Sequence, residues 1–167
     1  MISKDLKSNT YANINDIKKL EKKIKQCKPE IIFHLAAQPL VLDSYKEPLK
    51  TFNTNMIGTL NLLEVIRRVK SVKSVVIITT DKVYKIRKDN KPYKELDQLG
   101  GLDPYSASKV GAEIVVNSYI KSFFRNSNLQ NRISTARAGN VIGGGDLSEN
   151  RLIPDIIKSK QQKKPLL

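Results

Sequence analysis

Val75-Val76-Ile77-Ile78-Thr79-Thr80-Asp81-Lys82 is the stretch from which the fold of this 167-residue chain can be read. Four consecutive β-branched apolar residues make a strand that is apolar on both faces, the pattern of a buried strand in a parallel sheet. The run then ends in a hydroxyl, a carboxylate and an amine. Open α/β sheets place their chemistry at the carboxyl ends of their strands, so Thr80, Asp81 and Lys82 are candidate catalytic residues by position as well as by type.

Downstream stands Asp103-Pro104-Tyr105-Ser106-Ala107-Ser108-Lys109. Proline suits the first turn of a helix and aspartate before it is a good N-cap, so a helix is predicted to start here. On that helix Tyr105 and Lys109 share one face, one turn apart. An ammonium beside a phenol favours the phenolate, and the pair is expected to work as one proton-transfer unit with the tyrosine drawn below its usual ~10. Tyr-x-x-x-Lys alone also describes two amphipathic side chains on a solvated face; the strand above is what gives it weight.

Around these stretches helix and strand alternate. Residues 13–27 place Ile17, Leu20, Ile24 and Cys27 at helical spacing, and Pro29 stops that helix. Ile31 to Leu35 is a short apolar strand, and the small Ala36 and Ala37 after it would let a flat ligand approach the backbone. His34, the only histidine, is expected to be a packed core residue rather than a catalytic acid. Ser44 to Lys70 reads as a loop and then a long helix, with Pro48 near its start and Phe52, Met56, Leu60, Leu63 and Ile66 on one apolar stripe. Lys85 to Gly101, with Pro92 and a Gly100-Gly101 pair, is a polar loop expected to lie over the site. The helix from Pro104 is predicted to run to about Arg125 and to bury Ala112, Val115, Val116, Tyr119 and Phe123. Arg132 to Arg137 is a further strand, Ala138 to Asp146 its glycine-rich exit, and Leu152 to Lys160 a last helix. Gly143-Gly144-Gly145 could cradle a phosphate through backbone N–H groups or be a flexible turn.

Composition sets outer bounds. A hydrophobic content of 40% with 28% charged residues describes a globular chain with one core of ordinary size, and no apolar run reaches the ~20 residues of a membrane span. Met1 to Thr10 contain no signal-peptide core, so a cytoplasmic location is the expectation. With Cys27 alone there is no internal disulfide and no cysteine cluster for a metal. The net charge of +14 attracts anions in general, but the lysines are scattered without arginine-aromatic interleaving, so neither nucleic acid nor membrane is the expected partner.

Several longer segments then occur in a telling order: His34-Leu35-Ala36-Ala37-Gln38-Pro39-Leu40, Thr54-Asn55-Met56-Ile57-Gly58-Thr59, Thr79-Thr80-Asp81-Lys82, Leu99 to Lys109, and Ala136-Arg137-Ala138-Gly139-Asn140-Val141-Ile142-Gly143-Gly144-Gly145-Asp146. Over about residues 12 to 157 the chain resembles the extended short-chain dehydrogenase/reductase family, and within it the nucleotide-sugar 4,6-dehydratases. The resemblance implies a partial Rossmann-like, doubly wound parallel α/β sheet with flanking helices, forming a single partial NAD-binding domain over 1–167. Residues 143–167 would begin the substrate-binding part. It implies NAD as cofactor, beside Asp16 at the adenine, Ala36, Ala37, Gln38 and Asn55, with Tyr105 and Lys109 at the nicotinamide ribose; Asn55 could equally satisfy local backbone. It implies a nucleotide-sugar substrate whose diphosphate meets Asn140 and Arg151, and a homodimer formed by the helices near 48–69 and 104–125.

The reaction so implied begins with Tyr105 taking the proton of the sugar's C4 hydroxyl while NAD accepts the C4 hydride, with Thr80 bonded to the same oxygen. The ketone acidifies C5, water leaves C6 with Asp81 as general acid, and the hydride returns to C6. Many of these enzymes carry a glutamate after that aspartate as the C5 base. Lys82 stands there instead, which resembles the CDP-glucose branch, and a lysine would need desolvation to act as that base. The Gly-x-Gly-x-x-Gly loop expected after a first strand is absent, so the chain reads as the middle of a longer enzyme. A 4-epimerase of the same fold, which needs no acid at C6, and a non-catalytic remnant bound to a full-length partner are the rival expectations.

Overall fold

The architecture follows from the strand over 74–80. In the computed structural model, which describes residues 6–127, 129, 132–163 and 165, this strand, β2 (Ser74–Thr80), is the middle of three. Its neighbours are β1 (Ile31–His34) and β3 (Ile133–Ala138); the order is β1-β2-β3 and both pairings are parallel. Register runs Ile32 to Val75 and His34 to Ile77 on one side, and Val75 to Ile133 and Thr80 to Ala138 on the other. All three carboxyl ends therefore lie along one edge, the edge that carries Thr80 and Asp81.

Helix α1 (Ile17–Cys27) begins where Asp16 accepts the Lys19 N–H and ends on Lys28 in the left-handed region, just ahead of Pro29. Between β1 and β2 the helical stretch is more broken than the apolar stripe predicts. A short α2 (Val41–Lys46) precedes α3 (Pro48–Phe52), with Pro48 in the first turn, then a π-helical turn (Asn53–Ile57) and α4 (Gly58–Arg67) without a gap. After β2 a 3-10 turn (Asp81–Val83) holds Asp81 and Lys82. Helix α5 (Pro104–Tyr119) starts at a full capping box, Asp103 accepting from Ser106 N and the Ser106 hydroxyl returning to the Asp103 backbone N–H. It runs into a second π turn (Ile120–Phe124), and α6 (Leu152–Gln162) follows β3.

That second π turn corrects one expectation. Its extra residue advances the helical phase, so Phe124 enters the core at 3% exposure while Phe123, predicted to be buried, stays outside at 52%.

Helices α1, α4 and α5 bury their apolar sides against one sheet face, joining Ile24, Leu62, Leu63, Val65, Ile66, Val115, Val116 and Phe124 to Val75, Ile77 and Ile133 in a single cluster. The sheet is thus Rossmann-like with flanking helices, as expected. On the opposite face Ile31 and Phe33 are exposed and Val76 and Ile78 only half-buried. Among the described residues no helix is long and apolar enough to cross a membrane.

Candidate active site

Tyr105 and Lys109 are delivered by the first two turns of α5, whose start is fixed by the Asp103 cap and whose approach to β2 is closed by small residues. Together with Thr80 at the end of β2 they line a cleft of about 310 Å³ at the carboxyl edge of the sheet. Ala37, Lys82, Asn140 and Arg151 line the same cleft, so residues spread from 37 to 151 in sequence meet there. Asp81 is not among the residues that line the cleft; its carboxylate accepts from the Thr80 hydroxyl at 3.1 Å and pairs with the Lys82 ammonium at 3.6 Å.

The electrostatics differ from the expected pair. Burial lifts the Tyr105 phenol above its ordinary value; the nearby Thr80 hydroxyl and the Arg151 charge pull it back, and Asp81 and Asp103 push it further up. Lys109 Nζ donates to the Ile78 carbonyl at 3.1 Å rather than to the phenol. Its own burial draws it down to about 8. Both members of the pair are thus biased toward their neutral forms, and desolvation moves their proton affinities apart, leaving the phenol the stronger holder of a proton. Lys82, with 44% of its side chain exposed and a carboxylate partner, lacks the desolvation that a base role at C5 requires.

Three residues expected at a cofactor have other employment. Asp16 Oδ1 accepts the Lys19 N–H as the α1 cap. Gln38 and Asn55 bind each other: Gln38 N donates to Asn55 Oδ1 at 2.8 Å, and Asn55 Nδ2 donates to the Gln38 carbonyl at 3.1 Å and to the Ser108 hydroxyl at 2.9 Å. The Gln38 side chain is taken by Thr51 and the Leu40 carbonyl. This knot lies behind the cleft wall, where it ties the exit of β1, the first π turn and the first turn of α5 together. Ala36 and Ala37 both line a second cleft of about 430 Å³ with Asn13, Ile14, Lys19 and Lys23, and Ala37 belongs to both clefts. The Gly143-Gly144-Gly145 segment lines a third cleft with Arg151 and α6, with Gly145 at φ +82 where a side chain would be strained.

Sequence reasoning missed Glu113 and Arg137. The one signal available was spacing, because Glu113 continues the Tyr105, Lys109 face by one more turn. Among the described residues no three His, Cys, Asp or Glu side chains gather where they could hold a metal ion.

Comparison with known proteins agrees with this geometry. The family profile described as GDP-mannose 4,6 dehydratase matches residues 3–166. A CDP-glucose 4,6-dehydratase of Salmonella typhimurium is 45% identical over 158 residues, which cover 93% of this chain and 44% of that protein, so the chain spans less than half the length of this relative. Among solved structures, dTDP-glucose 4,6-dehydratase from Streptomyces venezuelae, determined as a double mutant with NAD bound, superposes with a TM-score of 0.81 at 26% identity, covering 93% of this chain and 45% of that one. UDP-glucuronic acid 4-epimerase from Bacillus cereus, in complex with UDP-glucuronic acid and NAD, superposes at 0.77 with 26% identity over 90% and 45% of the two chains. With the profile covering nearly the whole length, this chain belongs to the GDP-mannose 4,6 dehydratase family.

Proposed function

We propose that this chain carries the catalytic portion of an NAD-dependent nucleotide-sugar 4,6-dehydratase, with CDP-glucose as its substrate. The observation that carries the reading is the convergence of Tyr105, Lys109 and Thr80 in one cleft, with Asp81 bonded to the Thr80 hydroxyl beside it. The 45% identity with the Salmonella CDP-glucose enzyme favours that sugar nucleotide over others.

The residues fit a dinucleotide. Ala37 lines both the catalytic cleft and the one beside α1, so an extended ligand spanning the two would cross a wall bearing only a methyl group. Lys109 and Tyr105 would hold its nicotinamide end, and Lys19 and Lys23 stand at the other. When bound, NAD supplies reversible hydride acceptance, taking a hydride from sugar C4 and returning it at C6.

The chain's own residues do the proton work. As the phenolate, formed against the burial that favours its neutral phenol, Tyr105 Oη accepts the proton of the C4 hydroxyl, and Thr80 Oγ1 steadies that oxygen. Lys109 stands in the same cleft with its amine held by the Ile78 carbonyl and drawn down to about 8, where it gives up or takes a proton within the working range. Asp81, next to Thr80, protonates the departing C6 hydroxyl. Lys82 steadies the Asp81 carboxylate, which takes up the C5 proton and hands it to the departing C6 hydroxyl, so the elimination of water balances on one group. Arg151 brings positive charge toward the substrate diphosphate, with Asn140 beside it. The whole fits a cytoplasmic enzyme of surface-polysaccharide synthesis acting as a homodimer, for which the exposed Leu49 and Ile114 on α3 and α5 offer apolar contact.

The likeness to 4-epimerases keeps that chemistry as the second reading; Asp81, an acid beside the site, favours dehydration. Incubating the purified chain with CDP-glucose and NAD is expected to give the alkali-labile chromophore of a 4-keto-6-deoxy sugar, and Tyr105→Phe is expected to lower its rate at least ~100-fold, the usual scale for loss of a general base. A 4-epimer formed without the chromophore would establish the epimerase, and no product together with no NAD binding would leave a non-catalytic chain.

A further inference from the structure

Glu113 is a carboxylate at 6% exposure one turn beyond Lys109, and its hydrogen bonds run to the sheet. Its Oε1 accepts from the Thr79 hydroxyl on β2 at 2.7 Å and from Arg137 Nε on β3 at 2.8 Å; its Oε2 accepts from Arg137 Nη2 at 2.5 Å. Thr79 is the residue before Thr80, so this fork grips the strand next to its functional end.

Arg137 continues the connection outward. Its Nη1 donates to the Glu95 carbonyl at 2.9 Å, and its guanidinium lies over the Tyr84 ring, 4.6 Å from the centroid. Tyr84 stacks on Tyr93 at 4.6 Å, Arg87 lies 4.4 Å from the Tyr93 centroid, and Arg87 binds Asp97 at 2.9 Å. One unbroken chain of contacts thus runs from β2 through α5 and β3 into the polar segment after β2.

A buried ion pair roughly breaks even in stability against apolar residues of the same volume, because desolvating both charges offsets their attraction. What the bidentate fork supplies is direction: two parallel N–H···O bonds fix both partners in rotation as well as distance. We propose that Glu113 and Arg137 are positioning residues, which lock the catalytic helix to the ends of β2 and β3 and anchor the 84–101 segment beside it. Tyr105 and Lys109 are thereby held against the carboxyl edge of the sheet.

This rests on the roles given to Tyr105 and Lys109 above, but it is tested without cofactor, substrate or turnover. Competitive chemical labelling of Lys109 across a pH series, read by peptide mass spectrometry, reports how well its amine is desolvated. The other groups facing it, His34 on β1 and Tyr105 on α5, stay constant. Three variants are compared: Thr79→Val and Arg137→Lys, which are mild, and Glu113→Gln/Arg137→Met, which leaves no buried charge unpaired. In each, the proton affinity of Lys109 is expected to rise at least ~10-fold from its value near 8, toward that of a solvated lysine. Tryptic cleavage within 84–101 is expected to quicken about 10-fold in the two Arg137 variants, since local opening sets such cleavage. Variants that melt earlier yet keep the Lys109 midpoint and the cleavage rate of the parent would reduce the pair to a structural ion pair and overturn the proposal. If the double variant does not fold, the two mild ones decide by the same criteria.

Discussion

His34 lies 6% exposed on β1 with Nε2 3.0 Å from the Thr59 hydroxyl. Thr59 spends its own hydrogen on the Asn55 carbonyl at 2.7 Å, so His34 must be the donor, and the neutral Nε2–H tautomer follows. Desolvation first, and the Lys109 charge second, draw its pKa down to about 4 from an ordinary 6.5. A depressed folded-state pKa on a histidine means that the unfolded chain binds the proton more readily. Its contribution is complete above pH 6.5 and is lost as the pH falls toward 4. His34→Gln, which keeps a donor for Thr59, is therefore expected to be less acid-sensitive. Urea unfolding at the two ends of that window should show the parent losing about 3 kcal/mol more than the variant. The same scale shows why Asn55 and Gln38 were legible as important residues but not in their role. Their types suit a ligand, yet each satisfies the other across 17 positions of sequence.

At the scale of elements, the approach to α5 is set by two glycines with opposite tolerance. A Cβ on Gly101 would fall 2.3 Å from the Ala107 backbone nitrogen, inside the first turn of the catalytic helix, where nothing can move without lifting the cap. A Cβ on Gly111 would fall 2.7 Å from Met56 Sδ, the mobile end of a flexible side chain. Gly101→Ala is expected to cost about 3 kcal/mol, at the upper end of overpacking, whereas Gly111→Ala should stay within about 1 kcal/mol because the gain in helix propensity offsets the shift of Met56. Thermal and denaturant melts of the two variants check the contrast. The Asp103-Pro104 start of α5 was readable because a cap and a proline act locally. The two π turns were not, since neither Asn53–Ile57 nor Ile120–Phe124 carries a proline or another marker of an inserted residue.

For the molecule as a whole, the sheet is covered on one face and open on the other. Phe33, 65% exposed, and Val75, 0% exposed, lie on adjacent strands but on opposite faces. Val75→Ala is expected to cost about 2 kcal/mol, as for other buried truncations, while Phe33→Ser should change stability by no more than about 0.5 kcal/mol. Because an open apolar face invites association, Phe33→Ser is expected to reduce concentration-dependent light scattering; a variant that scatters as much as the parent would show that this face is not where copies meet. The net charge of +14 opposes such association through self-repulsion, so added salt should increase scattering in the parent.

The sequence by itself determined the elements that depend on neighbours along the chain: the apolar run of β2 with its polar end, the capped start of α5, the helical spacing that stops at Pro29, and the one-turn offset of Tyr105 and Lys109. It was also enough to point to Thr80 and Asp81, because strand polarity decides which end carries chemistry. Only the tertiary structure decided that Lys109 bonds to the Ile78 carbonyl, that Asp16 caps α1, that Lys82 keeps its solvent, and that Phe124 replaces Phe123 in the core. Glu113 and Arg137 belong to the same class: their bond joins positions 24 apart, and Thr79 reaches Glu113 across 34. Burial and partner choice are set by the packing of elements distant in sequence, and no local pattern of residues encodes them.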